Sequence, residues 1–368
     1  MKILFISAAN SIHTVRWVNA LASRGIDVHL VYLANHMPEE DDIDKRVTLH
    51  ELPISGHKGY YLNAFRLRKI HKMISPDAIN CHFASGYGTL SRLAKMENVV
   101  LTVLGSDIFT FPKISYIHKR IVQRNLRSAR IITSSSYCMA EEVKKILRQN
   151  QKYDIRVVPF GVSLSKFMHR TYNANSSNKI VVTNIKTLKP IYGIDTMVRV
   201  IEQYRNLCIK QNDLDAFKRL QVNIYGKGPD KEKIQLLIDS LGLTKKVHLR
   251  GYIPNKDVPR VLSKTDIFLV TSLNESFGVS VIEAMAAKIP VIASDALGFT
   301  EIISNTSLGV IVNKYDPASF ALSLYKLVKD PTARKALASN AYAEVERKYN
   351  WEQNVDIMLQ AYRDASKN

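Results

Sequence analysis

The stretch from Asp266 to Ser294, DIFLVTSLNESFGVSVIEAMAAKIPVIAS, constrains the fold more than any other part of the chain. Asp266 to Thr271 and Ile289 to Ala293 are short apolar runs, as expected of strands buried on both faces. Between them Val279, Ile282, Met285 and Ala286 recur at helical spacing, and Lys288, Ile289 and Pro290 end the helix. Strand, loop, helix, strand is the unit of an α/β sheet. Glu275 and Glu283 stand eight residues apart, so one continuous helix would separate them by roughly 12 Å of rise. Glu275 is therefore expected in the loop, with Ser276, Phe277, Gly278 and Val279 at the helix start.

Unpaired backbone N–H groups and the positive end of the helix dipole suit a phosphate at that start, and Gly278 lets a ligand approach the backbone closely. Two carboxylates beside an anion site are not there to neutralise it. They are better explained as acceptors for hydroxyl groups, such as those a nucleotide sugar carries on its ribose and hexose. From this segment alone, a helix cap at Glu275 and a solvated or internally satisfied Glu283 explain the pattern equally well.

The chain has 368 residues, enough for two domains that each bury a core. It opens with MKILFIS, too short an apolar run for a secretory signal, and no run approaches the ~20 apolar residues of a membrane span. A cytoplasmic protein is expected. Cys81, Cys138 and Cys208 lack metal-ligand spacing and read as small apolar side chains in a reducing compartment. The net charge is +19, and residues 1–170 hold 25 of the 52 basic residues but only 13 of the 33 acidic ones. A positive field concentrated in the first half suits nucleic acid, anionic lipid or a phosphorylated substrate, without choosing among them.

Strands are expected at 2–7, 28–33, 76–83, 99–103, 131–136 and near Val157, with a helix at Val15–Ser23 after the polar loop Asn10–Thr14. This opening is of the doubly wound nucleotide-binding type but lacks a G-x-G-x-x-G loop, which disfavours a dinucleotide cofactor. Asp42 and Asp44 lie in an acidic loop and read as solvated rather than as metal ligands. Leu62–Ile74 and Ile114–Arg130 read as basic amphipathic helices, either ordinary surface helices or elements that lie on an anionic membrane. His82, at the C-terminal end of its strand, faces the edge where open α/β sheets bind ligands, and Asp107 in the turn after Val103 is presented at the same edge. Asp107 reads equally as a cap.

The polar stretch Arg170–Asn178 is the expected linker. A second strand and helix alternation follows: strands 180–185, 220–225, 247–250 and 309–312 around the opening segment, and helices 194–208, 231–241, 317–328, 332–347 and 351–365. Lys186 and Lys189 stand just past a strand, where cations would meet a diphosphate. Gly226 and Gly228 form a tight turn past the next. Each is weak alone, but three loops of one sheet then carry a cation pair, a bare glycine turn and a helix N-terminus between two Glu, all at the ligand-facing edge.

NESFGVSVIEAMAAKIPVIASD resembles the E-x7-E region of retaining glycosyltransferases of the family 4 type, and the resemblance extends over nearly the whole chain. VVPFGVSLSKF, LKPIYGID, VNIYGKGPDKEKI, VHLRGYIPNKDV and YNWEQNV resemble the family's other second-domain segments, with looser matches in PDAINCHFASGYG and LTVLGSDIF. The resemblance implies a GT-B fold: two Rossmann-like, doubly wound domains facing a central cleft, an acceptor domain over 1–168 and a donor domain over 178–350, with a C-terminal helix over 351–368 that crosses back. It implies that Glu283 holds the donor ribose, Glu275 the hydroxyls of the transferred sugar, and backbone N–H groups near Ser276, Phe277, Gly278 and Val279 the diphosphate, which Lys186 and Lys189 neutralise. Many relatives carry Arg where this chain has Lys186, and Lys offers a point charge rather than a fork. Tyr252 and Ile253 would border the base. Ser11 and His13 replace a common Gly-Gly, and His82 would reach the acceptor or the sugar.

Expulsion of a nucleoside diphosphate stabilised by Lys and a helix N-terminus is electrostatic catalysis that needs no metal or cofactor, and retention is usually explained by attack from the leaving-group face. The expected activity is sugar transfer to a glycan on a polyprenyl-diphosphate or other lipid carrier in O-antigen or capsule-type polysaccharide synthesis, with peripheral contact to an anionic membrane surface and no nucleic acid as a partner. It would take place at the cytoplasmic face of the inner membrane. The alternatives are a nucleotide-sugar epimerase or phosphorylase on the same architecture, or a non-enzymatic basic protein that binds membrane or nucleic acid.

Overall fold

The computed structural model describes residues 1–148, 153–167 and 179–367. The expected linker at Arg170–Asn178 lies outside the described residues. The chain divides into two compact units, Met1–Pro159 with Glu352–Asn368, and Phe160–Trp351. Each is a Rossmann-like, doubly wound α/β domain built on one parallel sheet, the architecture expected from the apolar runs.

In the first unit β1 (Lys2–Ile6), β2 (Asp27–Leu33), β3 (Thr48–Leu52), β4 (Ala78–His82), β5 (Val99–Val103), β6 (Ile131–Ser134) and β7 (Ile155–Val157) lie in the order β3-β2-β1-β4-β5-β6-β7. The chain winds outward from β1 to β3 and returns to add β4 on the other side. Phe5 is paired with Asn80 and Ile6 with Cys81 at that reversal. The reversal opens a crevice at the strand C-termini. β1, β4 and β5 are almost entirely buried, because helices cover both faces. The edge strand β3 was not expected; four of its five residues are not buried, so it carries no apolar run.

Three helices differ from expectation. The first begins at Ile12 rather than Val15, since Thr14 turns inward and its hydroxyl meets that of Ser7 at 2.7 Å. The basic stretch over 62–74 is split into Gly56–Leu62 and Ala64–Ile74, because the buried amide of Asn63 donates to the carbonyls of Ile54 and Gly59 at 2.8 and 3.1 Å. The stretch over 114–130 is a turn of helix at Phe111–Ile114 and a helix at Tyr116–Arg127, separated by Ser115, which caps the second by accepting from the His118 N–H. Helix Tyr137–Leu147 was also not expected. The last helix, Trp351–Ser366, is held in this unit by Arg24, which pairs with Glu352 and Asp356 at 2.7 and 2.6 Å, and by Arg156, which pairs with Asp364 at 2.7 Å.

In the second unit β8 (Ile180–Ile185), β9 (Leu220–Tyr225), β10 (Val247–Gly251), β11 (Ile267–Val270), β12 (Val291–Ser294) and β13 (Val310–Val312) lie in the order β10-β9-β8-β11-β12-β13. The reversal falls between β8 and β11, whose register pairs Ile267 with Val182 and Phe268 with Thr183. Val182, Val222, Ile267 and Leu269 pack with Met197, Ile201, Phe320 and Leu324 from the covering helices. No helix among the described residues is long and apolar enough to cross a membrane.

Candidate functional site

The exits of β8, β9, β10 and β11 emerge at one edge because the strands are parallel. Lys186 follows β8 directly, and its N–H continues the ladder by donating to the Tyr225 carbonyl at 3.0 Å. Gly226, at φ +155°, lies so close over that residue that a Cβ would fall 1.9 Å from the Lys186 carbonyl oxygen, and a Cβ on Gly228 would fall 2.2 Å from that of Leu188. These two glycines therefore serve to seat the β9 exit on the β8 loop, a packing demand. Gly193, at φ +58°, closes the loop and begins helix Ile194–Lys210; Thr271, just past β11, donates to its carbonyl at 2.7 Å.

β11 leads into the loop that carries Glu275, as the spacing required. Helix Val279–Ala286 begins at Gly278, whose φ of +117° needs glycine. Phe277 and Gly278 are buried, Ser276, Val279 and Glu283 half-buried, and Glu283 sits on the helix proper. Lys186 donates through Nζ to the Glu275 carboxylate, an ion pair with both side chains only 13 and 14% exposed. Its ammonium also lies 5.1 Å over the Tyr192 ring and 5.8 Å over that of Phe299. Lys189 is exposed on the same loop and makes no ion pair among the described residues. The two cations, expected to act alike, differ in surroundings.

Tyr252, past β10, is largely exposed, and Lys227 holds its ammonium 4.7 Å over the ring. Ile253 is half-buried beside it. Lys227 and Phe299 were missed from the sequence. Lys227 stands between the two glycines of the turn, and Phe299 follows β12, a fifth exit of the same sheet.

In the first unit Ser11 precedes helix Ile12–Ser23 and His13 lies in its first turn, after β1, while His82 ends β4 across the reversal. His82 is fully buried, edge-on to Phe5 at 5.0 Å between ring centroids, and among the described residues neither ring nitrogen has a hydrogen-bond partner. Burial, aided by the neighbouring His13, pushes its pKa down to about 3, so the ring is neutral. Desolvation and Arg16 lower His13 to about 4. Asp107 has a different character. Its buried carboxylate accepts the N–H groups of Ala84, Leu104 and Gly105 at 2.7, 3.1 and 2.9 Å, which braces the β4 and β5 exits. Asp44 is tied to Arg46 at 2.7 Å, and the described residues contain no group of three or more His, Cys, Asp or Glu able to hold a metal.

A family model described as glycosyl transferase 4-like matches residues 2–136, and one described as glycosyl transferases group 1 matches residues 166–344. The chain belongs to the family 4 type of glycosyltransferases. This glycosyltransferase is 22% identical over 365 residues to N-acetyl-alpha-D-glucosaminyl L-malate synthase of Bacillus anthracis, covering 94% of this chain and 91% of that one. Its fold is similar to that of sucrose-phosphate synthase from Thermosynechococcus elongatus, at a TM-score of 0.81 and 18% identity over 99% of this chain and 98% of the other. Anabaena HepE, solved with UDP and glucose, gives 0.77 at 17% identity over 99 and 100%. Both likenesses speak to the fold.

Proposed function

We propose that this glycosyltransferase takes a sugar from a nucleoside diphosphate and transfers it, with retention, to a lipid-linked glycan. The observation that carries the donor half is the Lys186–Glu275 pair at the β8/β11 reversal, set beside a glycine-opened helix N-terminus. On this reading the N–H groups at 277–279 hold the diphosphate and exposed Lys189 faces it. Glu275 accepts sugar hydroxyls, Glu283 accepts ribose hydroxyls, and Tyr252 with Ile253 borders the base. The UDP found with HepE is in keeping with such a donor.

The chemistry follows from charge. As the anomeric C–O bond breaks, the bonding pair leaves with the diphosphate, and negative charge grows where helix N–H groups and Lys189 are already oriented. The acceptor oxygen bonds the anomeric carbon from the same face and its proton passes to the departing phosphate oxygen. His82, neutral and with neither ring nitrogen hydrogen-bonded among the described residues, is the first unit's candidate for a hydrogen bond to the acceptor, which would have to uncover the ring to reach it.

The membrane half of the proposal rests on exposed apolar side chains of the basic helices. Leu62, Phe65, Met73, Ile114, Tyr116 and Ile117 are 61 to 69% exposed, although periodicity would have turned some of them inward. Lys69 lies over Phe65 and Arg120 over Tyr116, at 4.8 and 5.3 Å. Apolar side chains interleaved with cations suit the boundary of an anionic bilayer, where a lipid-carried glycan would be met. This supports peripheral attachment to a cytoplasmic membrane face and a place in cell-surface polysaccharide synthesis.

A panel of nucleotide sugars, offered with lipid-linked acceptors, tests the activity. Transfer that Glu283→Ala and Lys189→Ala each reduce about a hundredfold or more, with the fold intact by circular dichroism, is expected. Full activity in both variants would sink the assignment.

A further inference from the structure

Phe83, the first residue past β4, has a φ of +68°. Eight non-glycine residues among those described have a positive φ, and five of the other seven follow helix ends, where a left-handed residue is an ordinary stop. Phe83 follows a strand, and it is the one aromatic of the set. A bulky side chain is strained there, whereas glycine would adopt the same φ freely. The turn is held at almost every backbone group. The Phe83 N–H donates to the Thr102 carbonyl at 2.9 Å, and the Phe83 carbonyl accepts the Gly88 N–H at 3.0 Å, so close that a Cβ on Gly88 would fall 2.9 Å from that oxygen. Asp107 takes the Ala84 N–H, and the buried amide of Asn125 donates to the carbonyls of Ala84 and Ser85 at 2.9 and 3.1 Å. Buried side chains from two other elements thus impose the strain.

Packing does not account for the ring that this backbone carries. Phe83 is half-buried, absent from both hydrophobic core clusters and from the apolar side chains packed against them, and without a ring or cation partner among the described residues. Two positions on, the half-buried Ser85 has a hydroxyl that makes no hydrogen bond among the described residues. Both stand at the exit of β4, beside the reversal where the crevice of this sheet opens. We propose that Phe83 is a specificity-determining residue on which a sugar ring of the acceptor stacks. The proposal deepens the acceptor half of the reading above and rests on it. A pyranose exposes a face of weakly positive C–H groups, and an aromatic ring offers a negative face of similar size. The Ser85 hydroxyl, donor and acceptor at once, meets the hydroxyls at the sugar's rim. The strained turn fixes the ring's root before the sugar arrives, which leaves less to be ordered on binding.

Initial rates on the full chain test this, with methyl and octyl glycosides of glucose, galactose, mannose and N-acetylglucosamine as acceptors. The donors are UDP-glucose, UDP-N-acetylglucosamine, ADP-glucose and GDP-mannose. Phe83→Leu is expected to raise KM for the accepted glycoside about tenfold, equally for its methyl and octyl forms, and to leave kcat within about threefold. Phe83→Tyr, which keeps a flat ring, stays within about twofold of the parent in both. Phe83→Gly matches Phe83→Leu in KM but relieves the backbone, so its thermal midpoint falls by less than about 3 °C, where loss of a core ring would lower it by about 10 °C. Calorimetric affinity for the nucleotide sugar changes by less than about twofold in all three variants. An unchanged acceptor KM in Phe83→Leu, a loss confined to the octyl glycosides, or a midpoint about 10 °C lower in Phe83→Gly would each overturn the stacking role. A parent chain that binds a nucleotide sugar but transfers it to none of these glycosides also overturns that role and leaves the donor reading standing. A parent chain that binds no nucleotide sugar overturns the donor reading, and this inference with it.

Discussion

The ring of Phe277 meets that of Phe160 edge-on, with centroids 5.5 Å apart and planes at 79°. Phe160 is the first residue of the second unit, and Tyr349, near that unit's last residue, touches the same ring at 5.9 Å. The two ends are joined nearby, where Val162 and Trp351 exchange backbone bonds with Tyr349 and Val162 at 2.8 and 3.1 Å. One side chain of the proposed diphosphate loop thus plugs the seam where the domain begins and ends. Phe277→Ala should cost about 3 kcal/mol of stability, and Phe277→Leu about 1, in denaturant unfolding. A loss under half a kcal/mol for the Ala variant would show that the seam does not depend on the ring.

Glycine is required at 226 and merely convenient at 251. A Cβ at 226 would stand 1.9 Å from the Lys186 carbonyl oxygen, whereas at Gly251 nothing lies within 4 Å and only the φ of +79° is strained. Gly226→Ala is expected to destabilise by about 3 kcal/mol and Gly251→Ala by about 1. Thermal unfolding of the two variants side by side measures the difference, and equal midpoints would contradict it.

His82 makes stability fall in acid. The unfolded chain takes up the proton near pH 6.5, but the folded chain resists until about 3. Between these values the unfolded state binds more protons, so stability declines as pH drops, by up to about 1.4 kcal/mol per pH unit. His82→Phe, beside Phe5, removes that term. Its stability relative to the parent should improve by about 2 kcal/mol between pH 6.5 and 5, whatever happens to activity. Identical pH slopes in urea titrations would show that His82 is not the buried group responsible.

Asp107 should behave as a brace. Asp107→Ala strands the N–H groups of Ala84, Leu104 and Gly105 and is expected to lose about 3 kcal/mol. Asp107→Asn keeps an acceptor oxygen and should lose less. Unfolding curves that rank the two variants the other way would point to a role for the charge itself.

The exposed apolar and basic side chains over 62–73 and over 114–120 predict binding to vesicles of phosphatidylglycerol and phosphatidylethanolamine. Removing two cations, as in Lys69→Ala with Arg120→Ala, should weaken sedimentation with vesicles about thirtyfold, at about 1 kcal/mol per charge near the surface. Phe65→Ser with Ile117→Ser should weaken it without altering the salt dependence. Binding that survives both pairs of changes would remove the membrane from the proposal.

The residues at the sheet edge could be placed from sequence because strand, loop and helix each leave a local signature: apolar runs at β11 and β12, a 3.6-residue period in helix Val279–Ala286, and glycine where φ turns positive. Spacing alone put Glu275 in the loop and Glu283 on the helix. Helix ends were less well read, since side-chain bonds from Thr14, Asn63 and Ser115 to distant or neighbouring groups outweigh propensity and hydropathy there. Asp107 looked like either a site residue or a cap; its three backbone partners, on two strand exits, give it a bracing role that no local signature shows.

The chain's own order of residues thus determined an α/β protein with a carboxylate-flanked helix start and a cation-bearing loop, because those features are written within a few neighbouring positions. Tertiary structure alone decided that Lys186 pairs with Glu275 while Lys189 stays in solvent, and that the ring nitrogens of His82 are buried without a hydrogen-bond partner among the described residues. These depend on which strands become neighbours at the β8/β11 and β1/β4 reversals, and a charge or an imidazole acquires its character from groups such as Glu275 for Lys186 and Phe5 for His82, far away in sequence and a few ångströms away in space.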